Sequence, residues 1–260
     1  MAAAEPCLLA RGWTGAAPRR TNAGLPDGRS PWQAPGHDPT GETVMMQVHG
    51  VLLSPFVRKV LLTLEYKGIA FENVPVFPGA DDPAFRAISP LGKIPVLQDG
   101  DFTIPDTSVI CRYLERTHPE PRLYPEDPQA EARACWLEEF ADSKLMDCCG
   151  GLFQQVFLRP RMLGEETQEE VVREILEERL PPLLDYLETQ APETGAFLGE
   201  APTIADLSVL TCFLQAEYAG FAVDAVTHPR LADWFGRMRA LDFVAGRLEQ
   251  EQTFVKSMAG

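Results

Sequence analysis

The sequence predicts two folded parts, a small α+β domain followed by a larger domain that is entirely helical. Residues 44–118 alternate short strand candidates with amphipathic helical segments, in the order β-α-β-loop-β-β-α. Residues 128–256 show helical periodicity almost throughout, so we expect an all-α helical bundle there. Three prolines among residues 119–127 separate the two parts and predict a linker.

Residues 1–43 differ in composition from the rest of the chain. They contain six prolines and six glycines but no Val, Ile, Phe or Tyr. Such a segment buries too little apolar surface to offset its chain entropy, which predicts a disordered tail. An artefactual extension, with the natural start at Met45 or Met46, is the favoured explanation of its origin, and a transit-like extension is the alternative.

The first helix of the small domain has the clearest signal. Met45–His49 alternates in polarity and predicts a strand, after which the chain turns at Gly50. The apolar residues at 57, 60, 61 and 64 follow the i, i+3, i+4, i+7 spacing of one helical face. Ser54 followed by Pro55 suits a helix N-cap with proline at the first helical position, and so predicts where this helix begins.

The remaining elements of the small domain follow in chain order. Ala70–Val76 predicts a second strand, and the Pro- and Asp-rich segment after it predicts a loop. Ile94–Gln98 and Phe102–Ile104 flank the dipeptide Asp99-Gly100, which is typical of a tight hairpin turn. Asp106 is the expected N-cap of the helix that closes the domain.

The helical domain contains one segment whose packing the sequence already indicates. Thr203 and Asp206 are spaced as a capping box at the start of an almost wholly apolar helix, which predicts that this helix is central and buried. Pro181 and Pro182 fall inside another helical segment, where we expect a kink or a break. The predicted helices span residues 128–150, 166–190, 203–218 and 229–240, with a short one after Asp242.

Composition and charge exclude several classes of protein. The 260 residues carry 23 basic and 38 acidic side chains, a formal charge of −15 that repels polyphosphates, so we expect no nucleic-acid partner. No apolar run approaches the roughly 18 residues that a membrane helix requires, so we expect no membrane partner either. Six cysteines without a C-x-x-C spacing predict reduced thiols in a cytoplasmic protein. Four scattered histidines argue against a metal site.

Three local features of the small domain carry chemistry. Ser54 stands where a strand leads into a helix, so its hydroxyl either caps that helix or points outward beside the positive helix N-terminus. Pro95 opens a predicted strand, where it cannot donate to the sheet, and a cis bond would let the preceding backbone offer its N–H and C=O elsewhere. Asp106 and Thr107 begin a helix and can hold an ammonium or a carboxylate group.

Three strings, in their order and spacing, resemble the cytosolic glutathione S-transferase family of the serine type. They are SPFVRKVLLTLEYKGIAFE, SPLGKIPVLQDGDFTIPDTSVICRYLE and FLGEAPTIADLSV, and the resemblance covers about residues 45–250. It implies a thioredoxin-like N-terminal domain that binds glutathione, followed by the all-helical domain. It also implies a cytoplasmic homodimer with a role in detoxification, glutathione as co-substrate and no metal.

The resemblance assigns roles to individual residues of the small domain. Ser54 matches the hydroxyl that donates a hydrogen bond to the glutathione sulfur. Pro95 matches the cis-proline of the family, and Ile94 matches the residue whose backbone binds the cysteinyl part of glutathione. Asp106 and Thr107 match the pair of an acid and a hydroxyl that holds the γ-glutamyl end.

Further counterparts lie at the glycyl end of glutathione and in the helical domain. Lys93 resembles the residue near the glycyl carboxylate. Thr203 and Asp206 match the structural capping box of the family and are not catalytic. Because Arg58 and Lys59 cluster with Lys93 near the predicted site, we expect a locally positive pocket on an acidic protein.

The implied reaction is transfer of the glutathione thiolate to a small, mostly apolar electrophile, and the resemblance also allows glutathione peroxidase activity. Serine cannot form the mixed disulfide that thioltransferases use, so disulfide reduction ranks below conjugation. A non-catalytic interaction module of the same fold, or a specialised enzyme such as a dehalogenase or a β-etherase, remains an alternative. Ser54 as an N-cap alone also remains open. Cys148 and Cys149 are either redox-active or unreactive thiols, and the sequence leaves both interpretations open. Phe85 is equally a candidate for a dimer interface and for the core of the chain.

Overall fold

The computed structural model describes residues 45–79 and 82–258, and the predicted tail over residues 1–43 lies outside them. The small domain has the predicted strands and both predicted helices. Its elements are β1 (Met46–His49), α1 (Pro55–Tyr66), β2 (Phe71–Val74), α2 (Pro83–Ile88), β3 (Val96–Asp99), β4 (Phe102–Pro105) and α3 (Thr107–Thr117).

The four strands form one mixed sheet in the order β2-β1-β3-β4, in which β1 and β2 are parallel and the other two pairs antiparallel. β3 and β4 form the predicted hairpin, and Gly100 supplies the positive φ of its turn, +58°. α1 and α3 pack against each other and against this sheet. The predicted apolar face of α1 is buried, since Val57, Val60, Leu61 and Leu64 are inaccessible to solvent. The α+β class of the small domain is therefore confirmed.

The prediction of a loop between β2 and β3 is only partly correct, because this segment contains the short helix α2. Asp82 caps this helix by accepting a hydrogen bond from the N–H of Ala84 at 2.9 Å. Phe85 fixes the helix to the domain, since its side chain is buried within the chain. Six residues in a Pro- and Asp-rich segment are too few to show helical periodicity, which is why the sequence did not reveal α2.

The second part is helical throughout, with two corrections to the predicted lengths. The helix expected to end at residue 150 continues to Leu163, and the helix expected to be short after Asp242 has 17 residues. The elements are α4 (Pro128–Phe140), a π-helical stretch (Ala141–Leu145), α5 (Met146–Leu152), a second π-helical stretch (Phe153–Leu163), α6 (Glu169–Glu174), a third π-helical stretch (Ile175–Arg179), α7 (Pro181–Gln190), α8 (Ile204–Glu217), α9 (Pro229–Arg239) and α10 (Asp242–Met258).

Two predictions about the helical part are confirmed. The helix is interrupted at Leu180, directly before the proline pair that begins α7. α8 is central, because its side chains are buried from Ile204 to Ala216 and it packs against α1, α4, α5 and α9. The capping box at its start is present, with Asp206 accepting hydrogen bonds from the N–H and the hydroxyl of Thr203, both at 2.8 Å. Among the described residues, no helix combines the length and the apolar character needed to cross a membrane.

Candidate active site

A cleft of about 460 Å³ opens between the small domain and the helices. The small-domain wall comes from the loop before α1, the loop after β2 and the residues that precede β3. The helical wall comes from α5, the π-helical stretch after it, α8 and α10. The lining residues from the small domain are Val51, Leu53, Ser54, Pro55, Phe56, Phe77, Pro78, Lys93 and Ile94, and those from the helices are Met146, Gly150, Phe153, Leu158, Met162, Gln215 and Phe254.

Ser54 caps α1 and also lines the cleft. Its Oγ accepts a hydrogen bond from the N–H of Val57 at 3.4 Å, which is longer than an ordinary N–H···O bond. A serine hydroxyl has one proton to donate besides its acceptor lone pairs, and none of the described residues receives that proton. The two roles weighed from the sequence are thus compatible, because capping uses a lone pair and leaves the O–H free.

Ile94 and Pro95 directly precede β3, an inner strand of the sheet, and Ile94 lines the same cleft as Ser54. The Ile94–Pro95 peptide bond is cis, Ile94 lines the cleft and Pro95 is buried. The strand β3 begins only at Val96, and within the described residues the backbone N–H and C=O of Ile94 make no hydrogen bond. A pair of unused backbone groups at a cleft wall can hold an extended ligand as a further strand would.

Asp106 and Thr107 begin α3 behind this wall, outside the residues that line the cleft. Asp106 has φ +80°, the single positive φ of a non-glycine residue within the described ranges. Such a conformation costs on the order of 1–3 kcal/mol and is concentrated at functional sites. Its Oδ1 accepts the N–H of Val109 at 3.1 Å, while Thr107 is buried with its hydroxyl 3.5 Å from the carbonyl oxygen of Phe56.

The prediction that Arg58, Lys59 and Lys93 all contribute positive charge to the site is wrong for Arg58 and Lys59. Arg58 is fully buried and donates to both carboxylate oxygens of Glu251 at 2.7 Å. Lys59 is also fully buried and forms ion pairs with Glu138 at 3.0 Å and with Asp142 at 2.6 Å. Burial lowers the pKa of each cation, but the facing carboxylates more than offset this and raise both pKa values.

These partners lie far along the chain, so nothing local in the sequence could reveal them. Lys93 is the remaining cation, since it is exposed at the cleft and has no ionic partner within the described ranges. Among the residues that the structure describes, one side chain rather than three therefore supplies positive charge to the cleft.

Apart from Gln215, the helical wall is apolar, and sequence reasoning did not identify its residues. Phe153 stacks on Phe157 with a ring separation of 5.1 Å, and both rings contact Tyr218 edge-on. Phe153, Met162 and Phe254 come from segments separated by up to a hundred residues, and none belongs to a recognisable motif. The exposure of Met162, an apolar residue, is visible in the structure alone.

The vicinal thiols next to this wall do not have the properties of reactive cysteines. Cys148 and Cys149 are buried, and burial raises the pKa of both thiols. A buried, protonated thiol is a poor nucleophile, so these two behave as packing residues. Nor do the described residues contain a cluster of three His, Cys, Asp or Glu side chains that could hold a metal ion.

Comparisons with known proteins match both parts of the chain. The family model described as the N-terminal domain of glutathione S-transferase matches residues 48–122, and the one described as the C-terminal domain matches residues 165–237. Glutathione S-transferase 4 of Zea mays is 32% identical over 208 residues, covering 76% of this chain and 89% of the maize protein. Glutathione S-transferase theta-1 of Homo sapiens is 32% identical over 194 residues, covering 73% of this chain and 80% of the human protein.

Solved structures agree with these sequence matches. The apo form of human glutathione S-transferase T1-1 superposes with a TM-score of 0.71 at 26% identity, covering 82% of this chain and 90% of that one. A glutathione S-transferase from Rhodospirillum rubrum F11 superposes with a TM-score of 0.71 at 25% identity, covering 78% and 92%. The predicted thioredoxin-like domain with a helical domain after it is thereby confirmed. With relatives above 30% identity matched over most of their length, the chain belongs to the glutathione S-transferase family.

Proposed function

We propose that this chain is a glutathione transferase that conjugates the thiolate of glutathione to small, mostly apolar electrophiles. One observation carries the proposal. The hydroxyl of Ser54, at the N-terminus of α1, lines a cleft whose opposite wall is apolar. A thiol bound beside that hydroxyl meets an activating donor on one side and a hydrophobic second substrate on the other.

The small-domain wall and the start of α3 behind it offer groups suited to each part of glutathione. The unused N–H and C=O of Ile94, before the cis-proline, suit the backbone of the cysteinyl residue. The start of α3 at Asp106 and Thr107 suits the γ-glutamyl end, where a carboxylate side chain attracts an ammonium group and helix N–H groups attract a carboxylate. Lys93, exposed and unpaired within the described residues, suits the glycyl carboxylate.

The chemistry depends on forming a thiolate near neutral pH. A free thiol has a pKa of about 8.5 and is mostly protonated there, while the thiolate is the nucleophile. A hydrogen bond from Ser54 to the charged sulfur contributes about 1.5–3 kcal/mol, equivalent to about one to two pKa units. The thiol proton passes to water and the sulfur lone pair forms the bond to the electrophilic carbon. The leaving group departs with the electron pair of the bond that breaks.

Several finer assignments belong to the same proposal. Residues 44–118 form the glutathione-binding domain, 119–127 the linker and 128–256 the helical domain that binds the electrophile. The chain works as a cytoplasmic homodimer in detoxification and can also reduce organic hydroperoxides. Exposed apolar side chains on α3 and α4, Val109 and Trp136, support a dimer contact. The described cysteines are all free, which supports a reducing compartment.

The test compares wild type with Ser54→Ala and Ser54→Thr. Calorimetry measures glutathione binding, thiolate absorbance measures the pKa of the bound thiol, and conjugation of 1-chloro-2,4-dinitrobenzene measures turnover. We expect Ser54→Ala to bind glutathione nearly as well as wild type, while its bound thiol has a higher pKa and kcat falls about 10- to 100-fold at pH 6.5. Ser54→Thr retains a hydroxyl and should keep much of the activity.

Each negative result points to a different error. Turnover by Ser54→Ala at the wild-type rate would show that the serine is an N-cap and no more. Absence of heat from wild type with millimolar glutathione would contradict the transferase itself and favour a non-catalytic member of the family.

A further inference from the structure

Gln215 is the one polar side chain that the described helices contribute to the cleft. It lies on α8 and is 1% exposed, among wall residues that are otherwise apolar. The rest of α8 from Ile204 to Ala216 is buried in the core. A buried carboxamide in an apolar wall is costly unless its polar atoms are satisfied, so the partners of Gln215 matter.

The orientation of the carboxamide is set by Arg58. Nη1 of Arg58 donates to Oε1 of Gln215 at 3.1 Å, and a guanidinium has donors but no acceptor. Gln215 must therefore present its oxygen to Arg58. The guanidinium is itself held by both carboxylate oxygens of Glu251 and by the carbonyl oxygen of Thr211 at 3.3 Å, so it cannot turn away.

The other end of the carboxamide has no partner in the protein. Within the described residues, nothing accepts a hydrogen bond from Nε2 of Gln215. Three side-chain atoms of the described residues lack both a hydrogen-bond partner and contact with solvent: Asp142 Oδ1, Ser208 Oγ and Arg237 Nε. Nε2 of Gln215 is not one of the three, so this unpartnered atom still contacts solvent. Since Gln215 lines the cleft and its oxygen is taken, the free N–H groups face the cleft.

The amide lies close to the reacting end of the cleft. The hydroxyl of Thr211, one helical turn before Gln215, donates to the carbonyl oxygen of Pro55 at 3.0 Å. Arg58 is one turn into α1 from Ser54. Gln215 therefore lies on the face of α8 that contacts the first turns of α1, the helix that begins beside Ser54.

We propose that Gln215 determines specificity for the second substrate, by donating a hydrogen bond from Nε2 to an acceptor oxygen on it. The site then favours electrophiles that carry a nitro, carbonyl or peroxide oxygen over halides without such an acceptor. This inference rests on the proposed transferase function. A substrate with an acceptor satisfies the amide, whereas one without it displaces water and leaves a buried donor unpaired, so the two effects reinforce each other.

The test uses a matched pair of substrates, 4-nitrobenzyl chloride and benzyl chloride. In both, the thiolate lone pair forms the carbon–sulfur bond and chloride leaves with the electrons of the carbon–chlorine bond. Gln215→Glu keeps an oxygen for Arg58 and removes the donor, Gln215→Met removes both, and Gln154→Glu is an exposed control. We expect kcat/KM for the nitro substrate to fall about tenfold in both Gln215 variants, with benzyl chloride changed less than about twofold.

Glutathione affinity and thermal melting are measured on every variant, so that a folding defect is visible. Gln215→Met is nearly isosteric and carries no charge, which keeps the test usable if the buried glutamate unfolds the chain. Equal losses on both substrates, or no loss on either, would overturn the specificity role while leaving the transferase intact. Absence of conjugation by wild type with either substrate would instead overturn the function on which the inference rests.

Discussion

The two walls of the cleft are built in opposite ways. The small-domain wall presents polar groups at the ends of elements, with Ser54 at the start of α1, Ile94 just before β3 and Asp106 at the start of α3 behind them. The helical wall presents side chains from within helices, such as Phe153 and Phe254, and these are apolar apart from Gln215. The groups that the small-domain wall offers to a ligand are therefore set mainly by backbone geometry, and those of the helical wall by the identity of its side chains.

This difference suits two kinds of ligand. A ligand common to every turnover can be held by N–H, C=O and capping groups, whose positions change little when surface side chains change. A variable ligand is better met by side chains, because their replacement leaves the backbone in place. The two walls are joined through α1, whose first residues line the cleft while Arg58 and Lys59 anchor the helix to α10, α4 and the π-helical stretch after it.

The largest expected effect lies at this junction. Glu251→Gln leaves Arg58 buried without a compensating charge, so we expect the free energy of unfolding to fall by about 3 kcal/mol. Urea unfolding followed by far-UV circular dichroism measures it. Glu249→Gln, exposed on the same helix, is the control and should change stability by less than about 0.5 kcal/mol. Equal losses in the two variants would mean that the buried pair does not join the walls.

The thiol of glutathione is proposed to ionise in the cleft near neutral pH, whereas the cysteine thiols packed in the core ionise at alkaline pH. Burial raises the pKa of Cys111 to about 12, and it also raises the pKa of Cys149 and Cys212. Above the pKa of an unfolded thiol, the folded chain thus holds protons that the unfolded chain has lost. The stability that Cys111 contributes is complete below pH about 8.5 and declines by about 1.4 kcal/mol per pH unit as pH rises toward 12. Cys149 and Cys212 change stability in the same direction.

Urea unfolding at pH 8, 9, 10 and 11 checks this decline. Cys111→Ala removes one of the titrating groups, so its free energy of unfolding should fall less steeply with pH than that of wild type. A wild-type curve that stays flat to pH 11, or an equal slope in the variant, would show that these thiols ionise without cost in the folded protein.

The smallest expected effects distinguish the walls by substrate. Phe254→Ala removes apolar contact from the helical wall, and we expect KM for the electrophile to rise about tenfold with glutathione affinity unchanged. Lys93→Met should do the reverse, raising KM for glutathione about threefold and leaving that for the electrophile alone. Steady-state kinetics with each substrate varied in turn provides the measurement. Movement of both KM values in either variant would mean that the walls are not separable.

The sequence predicted more of the small-domain wall than of the helical wall. Ser54, Pro95 and Asp106 were identified because caps, turns and strand openings are local patterns that a few neighbouring residues define. Arg58 was expected to contribute positive charge at the cleft, and its burial depends on Glu251, 193 residues away. Gln215 lies in a helix whose apolar sequence indicates only burial, so its contact with the cleft could not be foreseen.

The π-helical stretch Phe153–Leu163 has a consequence for how such a protein diversifies. It supplies Leu158 and Met162 to the helical wall, and π-helical turns hold more residues than α-helical ones. Loss of a single residue within the stretch would bring it closer to α-helical spacing, so that the side chains inside it change direction while the helices on either side keep theirs. One deletion could thus present a new surface to the electrophile, while Ser54 and Ile94 keep their places. In this family member, a change of substrate can therefore come from a one-residue deletion in this stretch as well as from substitutions.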